Sequence, residues 1–246
     1  MFGFNFDRRI LYIILALLIV SNIMDFSTGG LLSLLIAIPG VLVALTFHEY
    51  AHAFAADKLG DDTPRRQGRL TLNPLAHLDP VGSVLLLFAG FGWGKPVEIN
   101  PRNFNRDITM DKANAIVSFA GPLMNFILAI VFSIIYAALF RFGSEVLLDS
   151  QAGVILLMIV YSAILTNVGL GVFNLIPVPP LDGSKILMNF LPYNAKVWFE
   201  NNQHIFYIVF LAMWMFGITS IIISPIIDVI TYGITNVVGL IFGIGF

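Results

Sequence analysis

Residues 31–56 read LLSLLIAIPGVLVALTFHEYAHAFAA, a long apolar run that is interrupted near its end by His48, Glu49 and His52. No charged side chain precedes His48 in this run, and four apolar residues follow His52. Histidines four residues apart lie one helical turn apart on the same face, so both imidazoles can reach one metal ion. Ionisable groups at membrane depth are costly and indicate functional sites. The run therefore predicts a membrane-spanning helix with a metal site near one end.

Glu49 directly follows the first histidine, where its carboxylate can act on a metal-bound water without binding the metal itself. This H-E-x-x-H spacing is typical of the helix of zinc-dependent proteases, in which zinc is the Lewis acid and the glutamate is the general base. The chain contains no cysteine, so a zinc ion here would need histidine and carboxylate ligands.

The composition excludes a soluble globular domain. Of the 246 residues, 58% are hydrophobic and 11% are charged, whereas soluble domains carry about 25% charged residues. A net charge of −2 argues against a nucleic-acid partner, which would need a basic surface. The composition therefore predicts an all-α integral membrane protein. We expect residues 1–246 to form a single domain, because no internal repeat or soluble appendage is present in the sequence.

Apolar stretches that are long enough, or nearly so, to cross the roughly 30 Å hydrocarbon core predict about six transmembrane helices. They lie at residues 10–24, 32–56, 114–140, 152–175, 203–223 and 226–246. The first is expected to be retained, because no small-x-small cleavage site of a signal peptide follows it. Only Ser224-Pro225 separates the last two, which leaves two short helices or a re-entrant pair open. Asp228, expected near the outer face of the last stretch, has no evident partner in the sequence.

Basic residues orient these stretches. Twelve of the 13 Lys and Arg fall before the first stretch, between the second and third, or after the fourth, and only Arg141 falls on the other side. The positive-inside rule makes the basic side cytoplasmic. We therefore expect a multi-pass protein of the cytoplasmic membrane with both termini cytoplasmic. Three arginines of the basic side are expected to set topology and to contact anionic lipids: Arg65, Arg66 and Arg69.

The connection between the second and third stretches holds a further apolar run, from Val84 to Trp93, which is too short and too rich in glycine to span the membrane. Non-helical backbone at membrane depth is tolerated only where protein buries it or where it lines a cavity. Residues 84–99 therefore predict a small re-entrant β element, either a hairpin or short strands, packed against the helix of His48.

A catalytic zinc site usually has three protein ligands and one open position. His77 and His204 are candidates for the third ligand, but a stronger one is Asp182, in the segment NLIPVPPLDG of residues 174–183. The prolines of this segment end the fourth stretch at a level that matches His52. From the residues alone, Asp182 could equally cap the helix that follows it.

Three motifs together resemble those of the site-2 proteases, the intramembrane zinc metalloproteases: HEYAH at residues 48–52, GPLMN at 121–125 and NLIPVPPLDG at 174–183. The chain is most similar to the small prokaryotic subgroup without PDZ or CBS domains. The motifs that carry this closer similarity are GRLTLNP at residues 68–74, HLDP at 77–80 and GWGKPV at 92–97.

The resemblance implies a role for each residue of the site. One Zn²⁺ per chain would be bound by three ligands, namely His48, His52 and Asp182. Glu49 would be the general base and proton shuttle, and Asn174 would contact the substrate backbone or the developing oxyanion. The resemblance also implies that the re-entrant strands pair with a locally unwound substrate.

Three further polar residues stay open at this point. Asn125, in the second motif, is expected either at the active site or in a hydrogen bond between helices. His77 is expected to hydrogen-bond Asp79 or to face the membrane interface rather than to bind zinc. His204 is assigned no role.

The sequence thus predicts an intramembrane zinc endopeptidase that cleaves a transmembrane segment near its cytosolic end. Its expected partners are a transmembrane protein or peptide substrate and the lipid bilayer, and a regulatory partner is compatible with the absence of regulatory modules. The alternatives are a membrane metal transporter and a non-catalytic scaffold that binds membrane segments. A transporter needs ligands on both sides of the midplane, and neither alternative has a use for Glu49 beside a ligand.

Overall fold

The computed structural model describes residues 28–80, 82, 94–215 and 217–245. In this part of the chain all regular structure is helical, as the composition predicts. The helices are α1 (Thr28–Lys58), α2 (Thr63–Arg66), α3 (Met110–Leu148), α4 (Gln151–Asn174), α5 (Asp182–Phe190), α6 (Tyr193–Asn201), α7 (Gln203–Met215) and α8 (Ile218–Phe242). Two 3-10 turns lie between α2 and α3, at Pro74–Ala76 and Pro101–Asn103.

Four of the described helices are long and apolar enough to cross a membrane, namely α1, α3, α4 and α8. The shortest, α4, has 24 residues and is therefore about 36 Å long, more than the roughly 30 Å hydrocarbon core. The first three coincide with the second, third and fourth predicted stretches. The first predicted stretch, residues 10–24, lies outside the described residues, so six crossings are not confirmed.

The boundary between the fifth and sixth predicted stretches lies at a different residue in the structure. α7 has 13 residues, about 20 Å, and is too short to cross. The chain then turns at Gly217, whose φ of +69° is a left-handed conformation that glycine adopts without strain. Pro225 instead lies within α8, so the expected break at Ser224-Pro225 is wrong. Proline is a weak stop signal in membrane helices, because neighbouring groups satisfy the backbone that it leaves unpaired.

The contacts of α8 show its direction. Ile223, near its start, packs in the core with Val168 and Val172 of α4. The ring of Phe242, at its end, lies 6.4 Å from that of Phe142, near the end of α3. α8 therefore ends on the side of the bundle where α3 ends, opposite to the basic connection between α1 and α3. This differs from the expectation that the C-terminal end lies on the basic side, because α7 does not cross.

α3 lies at the centre of the bundle and packs against α1, α4, α5 and α8. Small residues on its buried face let the neighbouring backbones approach closely, as in other membrane helix pairs. They are Ala113, Ser118, Gly121, Ala129, Ser133 and Ala137. This close approach is what brings the polar groups of α1, α3 and α4 within hydrogen-bonding distance of one another.

The predicted β element is reduced, in the described residues, to one isolated antiparallel bridge between Leu78 and Gly94. Residues 84–93 lie outside the described part of the chain. Residues 95–100 form no helix or strand, and they contact α1 at Glu49 and the turn after α1 at Asp61. Arg69, only 5% exposed, holds this segment by donating to the carbonyls of Ala76, Lys95 and, at 3.1 Å, Pro96. The expectation that Arg69 contacts lipid is therefore wrong, because its guanidinium pairs with backbone carbonyls.

Asp61 anchors the other end of the same segment. Its carboxylate is fully buried and accepts from the Asn100 backbone N–H at 2.7 Å, the Asn103 side chain at 2.9 Å and the Thr63 backbone N–H at 3.1 Å. The Thr63 hydroxyl also donates to it, at 2.5 Å. Burial by itself raises the pKa of Asp61, but these hydrogen bonds outweigh it and hold the pKa below its ordinary value.

We expect Asp61→Ala to lower the free energy of unfolding by about 2 kcal/mol, because it removes the buried acceptor of four hydrogen bonds. Thermal unfolding of the purified protein in detergent measures this loss. The matched control is Asp62→Ala, since Asp62 is exposed and pairs only with Arg66 one turn away. A control loss of about 0.5 kcal/mol or less is expected, and equal losses in the two variants would contradict the anchoring role.

The lowered pKa of Asp61 predicts that its contribution to the stability of the protein depends on pH. A carboxyl whose pKa is lowered on folding stabilises the protein above its unfolded pKa and loses this contribution as the pH falls. The stability difference between the wild type and Asp61→Ala should therefore shrink as the pH falls below the ordinary value of 3.8. Unfolding curves at several pH values test this, and a difference that grows in acid would rule it out.

Candidate metal centre

α1 places His48 and His52 on one face, against α3. Both side chains are buried, with 4% and 7% of their surface exposed, and their Nε2 atoms lie 3.0 Å apart. The spacing of four residues in a continuous helix produces this approach. The structure therefore brings the two imidazoles together as the motif predicts.

Asp182 reaches the same point from the opposite direction, in the segment that follows α4. Its Oδ2 atom lies 3.2 Å from Nε2 of His48 and 3.1 Å from Nε2 of His52. The N-cap position of α5 is held by Leu181, and Asp182 does not act as the cap. Within the described residues no other group of histidines and carboxylates is close enough to hold a metal ion.

The protons of the two imidazoles can be assigned from their other nitrogen atoms. Nδ1 of His52 lies 2.7 Å from the backbone carbonyl of Val117, which can only accept, so this Nδ1 carries the proton. Nδ1 of His48 lies 2.6 Å from Oδ1 of Asn125 and donates to it. In the neutral form of each ring, the Nε2 atom therefore presents a lone pair to Asp182.

The orientation of the Asn125 amide follows from its other contacts. Its nitrogen donates at 3.1 Å both to the Ala44 carbonyl and to Oδ1 of Asn167, so its oxygen faces His48. The amide nitrogen of Asn167 donates in turn to the Ala163 carbonyl at 2.8 Å. Both asparagines are fully buried. Asn125 is thus a hydrogen-bonding residue between helices that also orients a candidate metal ligand.

Asn167 is the residue of this network that the sequence did not single out. A signal was present, because an amide in the middle of the apolar stretch 152–175 usually bonds to a neighbouring helix. The sequence could not show which helix it faces, so it could not connect Asn167 to His48.

The three converging atoms fit a zinc ion. They are all lone-pair acceptors at 3.0 to 3.2 Å from one another, and Oδ2 of Asp182 has no hydrogen-bond donor among the described residues. When both rings are neutral, three buried acceptors meet at this point, and one shared cation would compensate all of them. Tetrahedral ligands with zinc bonds of about 2.0 to 2.2 Å lie about 3.3 to 3.6 Å apart, close to the observed spacing, and two histidines with a carboxylate are a catalytic zinc donor set.

Two glycines make the approach possible. A Cβ atom on Gly121 of α3 would lie 2.5 Å from Nε2 of His52 and 2.7 Å from Cε1 of His48. A Cβ atom on Gly183 would lie 2.3 Å from the Leu175 carbonyl oxygen. Each of these distances is too short for a side chain, so both positions need glycine for steric reasons.

Glu49 lies beside the ligands without touching them. It is half-buried, and its Oε2 accepts a hydrogen bond of 3.0 Å from the backbone N–H of Val97. A cavity of about 410 Å³ is lined by Glu49, Asn174 and the three candidate ligands. The amide nitrogen of Asn174 donates to the Leu170 carbonyl of its own helix at 3.0 Å. The cavity therefore joins a carboxylate, an amide and the metal centre.

The other two histidines do not join this group. His77 is fully buried, and its Nε2 donates to the Thr71 carbonyl at 2.8 Å. The expected bond between His77 and Asp79 is not the one formed, because the Asp79 carboxylate accepts from the backbone N–H of Gly82. His204 lies at the start of α7 and is exposed.

The chain is similar to several known proteins. The family model for peptidase family M50 matches residues 145–217. "Putative zinc metalloprotease YwhC" of Bacillus subtilis is 38% identical over 188 residues, which cover 76% of this chain and 84% of that protein. A relative from Mycolicibacterium smegmatis, Rip2, is 31% identical over 69% of this chain and 61% of its own length. MJ0611 of Methanocaldococcus jannaschii is 26% identical over 79% of this chain and 90% of its own length. Rip2 and MJ0611 are each also named "Putative zinc metalloprotease". The chain has no significant match among solved structures.

We expect Gly121→Ala to lower zinc affinity at least tenfold, because the new methyl group must displace the imidazole of His52. Competition for zinc with a fluorescent chelator measures the affinity. Gly169→Ala is the matched control, since a Cβ atom there meets its nearest neighbour at an ordinary 3.6 Å. Unchanged affinity in Gly121→Ala would contradict the packing argument.

Asn125→Leu is expected to weaken zinc binding by about 10- to 100-fold, the usual effect of removing a group that orients a ligand. The control is Ser133→Ala on the same helix, since the Ser133 hydroxyl is also buried but bonds only to the Ala129 carbonyl. The same chelator competition applies. If both variants bind zinc like the wild type, Asn125 does not orient His48.

Proposed function

The chain belongs to peptidase family M50, and we propose that it is an intramembrane zinc endopeptidase that hydrolyses a peptide bond within a transmembrane segment of its substrate, near the cytosolic end of that segment. The observation that carries the proposal is the group of His48, His52 and Asp182, buried between apolar helices and beside Glu49. The names of the relatives support the metalloprotease class, and the four apolar helices support the membrane location.

The proposed chemistry divides between the metal and the side chains around it. One zinc ion per chain would act as a Lewis acid and lower the pKa of a water molecule at the site to about 7. Glu49 would take the proton of the attacking water and deliver it to the leaving amine nitrogen. The Val97 N–H holds one oxygen of this carboxylate. Asn174 would donate to the substrate carbonyl from the wall of the cavity, which adds no further buried charge.

Residues 95–99 support a binding mode for the substrate. The main-chain groups of Lys95 and Pro96 are already bonded to His77 and Arg69, and the Val97 N–H bonds to Glu49. The remaining main-chain groups, from the Val97 carbonyl to Ile99, have no hydrogen-bond partner among the described residues. An intact substrate helix hides its carbonyls in internal hydrogen bonds, so it must unwind before attack. We propose that the unwound part pairs with this segment as an added strand.

The distribution of charge supports a cytoplasmic position for the site. The connection between α1 and α3, together with the adjoining ends of these two helices, holds eight of the 13 Lys and Arg of the chain, which favours the cytoplasm for this side. His52 lies six residues before the end of α1, about 9 Å along the helix axis. Cleavage would therefore occur inside the membrane but near the cytosol, in the cytoplasmic membrane of the cell.

The two alternative functions fit the described residues less well. A transporter would need a second set of ligands along its path, and in the described part of the chain there is one such group. A scaffold that binds membrane segments would not need a carboxylate held beside a metal site by the backbone of Val97.

We expect Glu49→Gln to abolish cleavage of a single-span substrate, with a loss of at least 1,000-fold, and to leave zinc content unchanged. The amide keeps the shape of the side chain but cannot accept a proton. Cleavage is measured in liposomes with a panel of single-span peptides, and zinc is measured on the same preparation. Asp182→Asn is the complementary variant, in which both zinc content and cleavage should fall. Full cleavage by Glu49→Gln would overturn the proposed role of Glu49.

A further inference from the structure

α8 carries a row of polar side chains that the proposed catalysis does not use. Five polar residues follow one another at a spacing of four, and we call this row the polar ridge: Ser220, Ser224, Asp228, Tyr232 and Asn236. Residues spaced by four form one of the ridges by which helices pack. Next to this row, α8 is buried against α3 and α4 through residues such as Ile223 and Val238.

The polar ridge is open to the surroundings. Its first four residues are exposed, Tyr232 by 62%, and Asn236 is half-buried. None of the five side chains forms a hydrogen bond or ion pair with any other residue that the structure describes. The described part of the chain therefore supplies no partner for a polar row that runs along a membrane helix.

The lack of a described partner matters most at Asp228, because its side chain is ionisable. It is the eleventh of the 25 residues of α8, about 15 Å from the start of the helix and about 21 Å from its end. Its neighbour Ile227 packs against Gly169 of α4, and both Ile226 and Val229 beside it are exposed apolar residues. The expectation that Asp228 lies near the outer face is therefore wrong, because α8 begins before the predicted stretch does. A carboxylate at this depth is costly unless another group pairs with it.

We propose that the polar ridge docks a transmembrane helix of a partner protein that carries a basic side chain at mid-membrane depth. The charge of Asp228 is complementary to such a side chain, and buried charges in membranes pair with one another. Ser220 and Ser224 are small hydroxyl residues that let a second helix approach closely and bond across the interface. This docking does not depend on the proposed proteolysis.

Two other occupants fit the ridge less well. A second copy of the chain, related by a two-fold axis through the ridge, would set one Asp228 against another, and like charges repel. Residues 10–24 of the same chain contain no basic side chain and so offer Asp228 no counter-charge.

The test uses the full chain in liposomes with synthetic transmembrane peptides as probes. One peptide is a Leu- and Ala-rich helix with a single central Lys, and its control has Leu at that position. Because the chain has no cysteine, a Gly245→Cys variant carries a single dye, and energy transfer to a dye on the peptide measures association. We expect the central-Lys peptide to associate at least tenfold more strongly than its control.

Three variants test whether the stronger association of the central-Lys peptide depends on Asp228. Asp228→Leu should remove the preference for Lys, whereas Asp149→Leu, the same change outside the ridge, should keep it. Asp228→Lys should prefer a peptide with a central Glu instead. Zinc content and a monodisperse elution profile show that each variant is folded.

Several outcomes would overturn the proposal. Equal association of both peptides with the wild type would do so, as would a Lys preference that survives in Asp228→Leu. Self-association that Asp228→Leu abolishes, without any Lys preference, would assign the ridge to a second copy. Binding of the Lys peptide only after removal of residues 1–27 would assign the ridge to the chain's own N-terminal segment.

Discussion

The bundle is organised by the close approach of three side chains, those of His48, His52 and Asp182, at a site buried between the helices. Unpaired acceptors in such a region are unfavourable, so the helices must hold them close enough for one cation to neutralise them. Gly121 removes the side chain that would keep α3 away from α1, and the carbonyl of Val117 and the amide of Asn125 then orient the two rings. The packing of the helices and the chemistry of the site thus impose the same geometric requirement.

Local patterns predicted the parts of the site that one helix or one turn supplies. His48 and His52 share a face because of helix geometry alone, and Glu49 lies beside them for the same reason. Contacts between helices were not predictable in this way. The role of Asn167 depends on which neighbour α4 faces, and the steric role of Gly121 depends on the distance between α1 and α3.

The boundaries of the last helices show a second limit of sequence patterns. Hydropathy placed the break at Ser224-Pro225 because proline stops helices in water. In the structure the break is at Gly217, where a left-handed φ is required, and α8 continues through Pro225. This shift of a few residues changes the side of the bundle on which α8 ends and moves Asp228 to the middle of a helix.

The contact between Glu49 and the backbone of Val97 has a consequence for substrate choice. Under the proposed function, the segment that holds the general base also receives the substrate, and it does both through main-chain atoms. Main-chain hydrogen bonds are the same for almost every amino acid, so this part of the site distinguishes poorly between side chains. Selection would then depend on how readily a stretch of substrate helix opens. The preferred substrate would be the one whose transmembrane helix unwinds most easily.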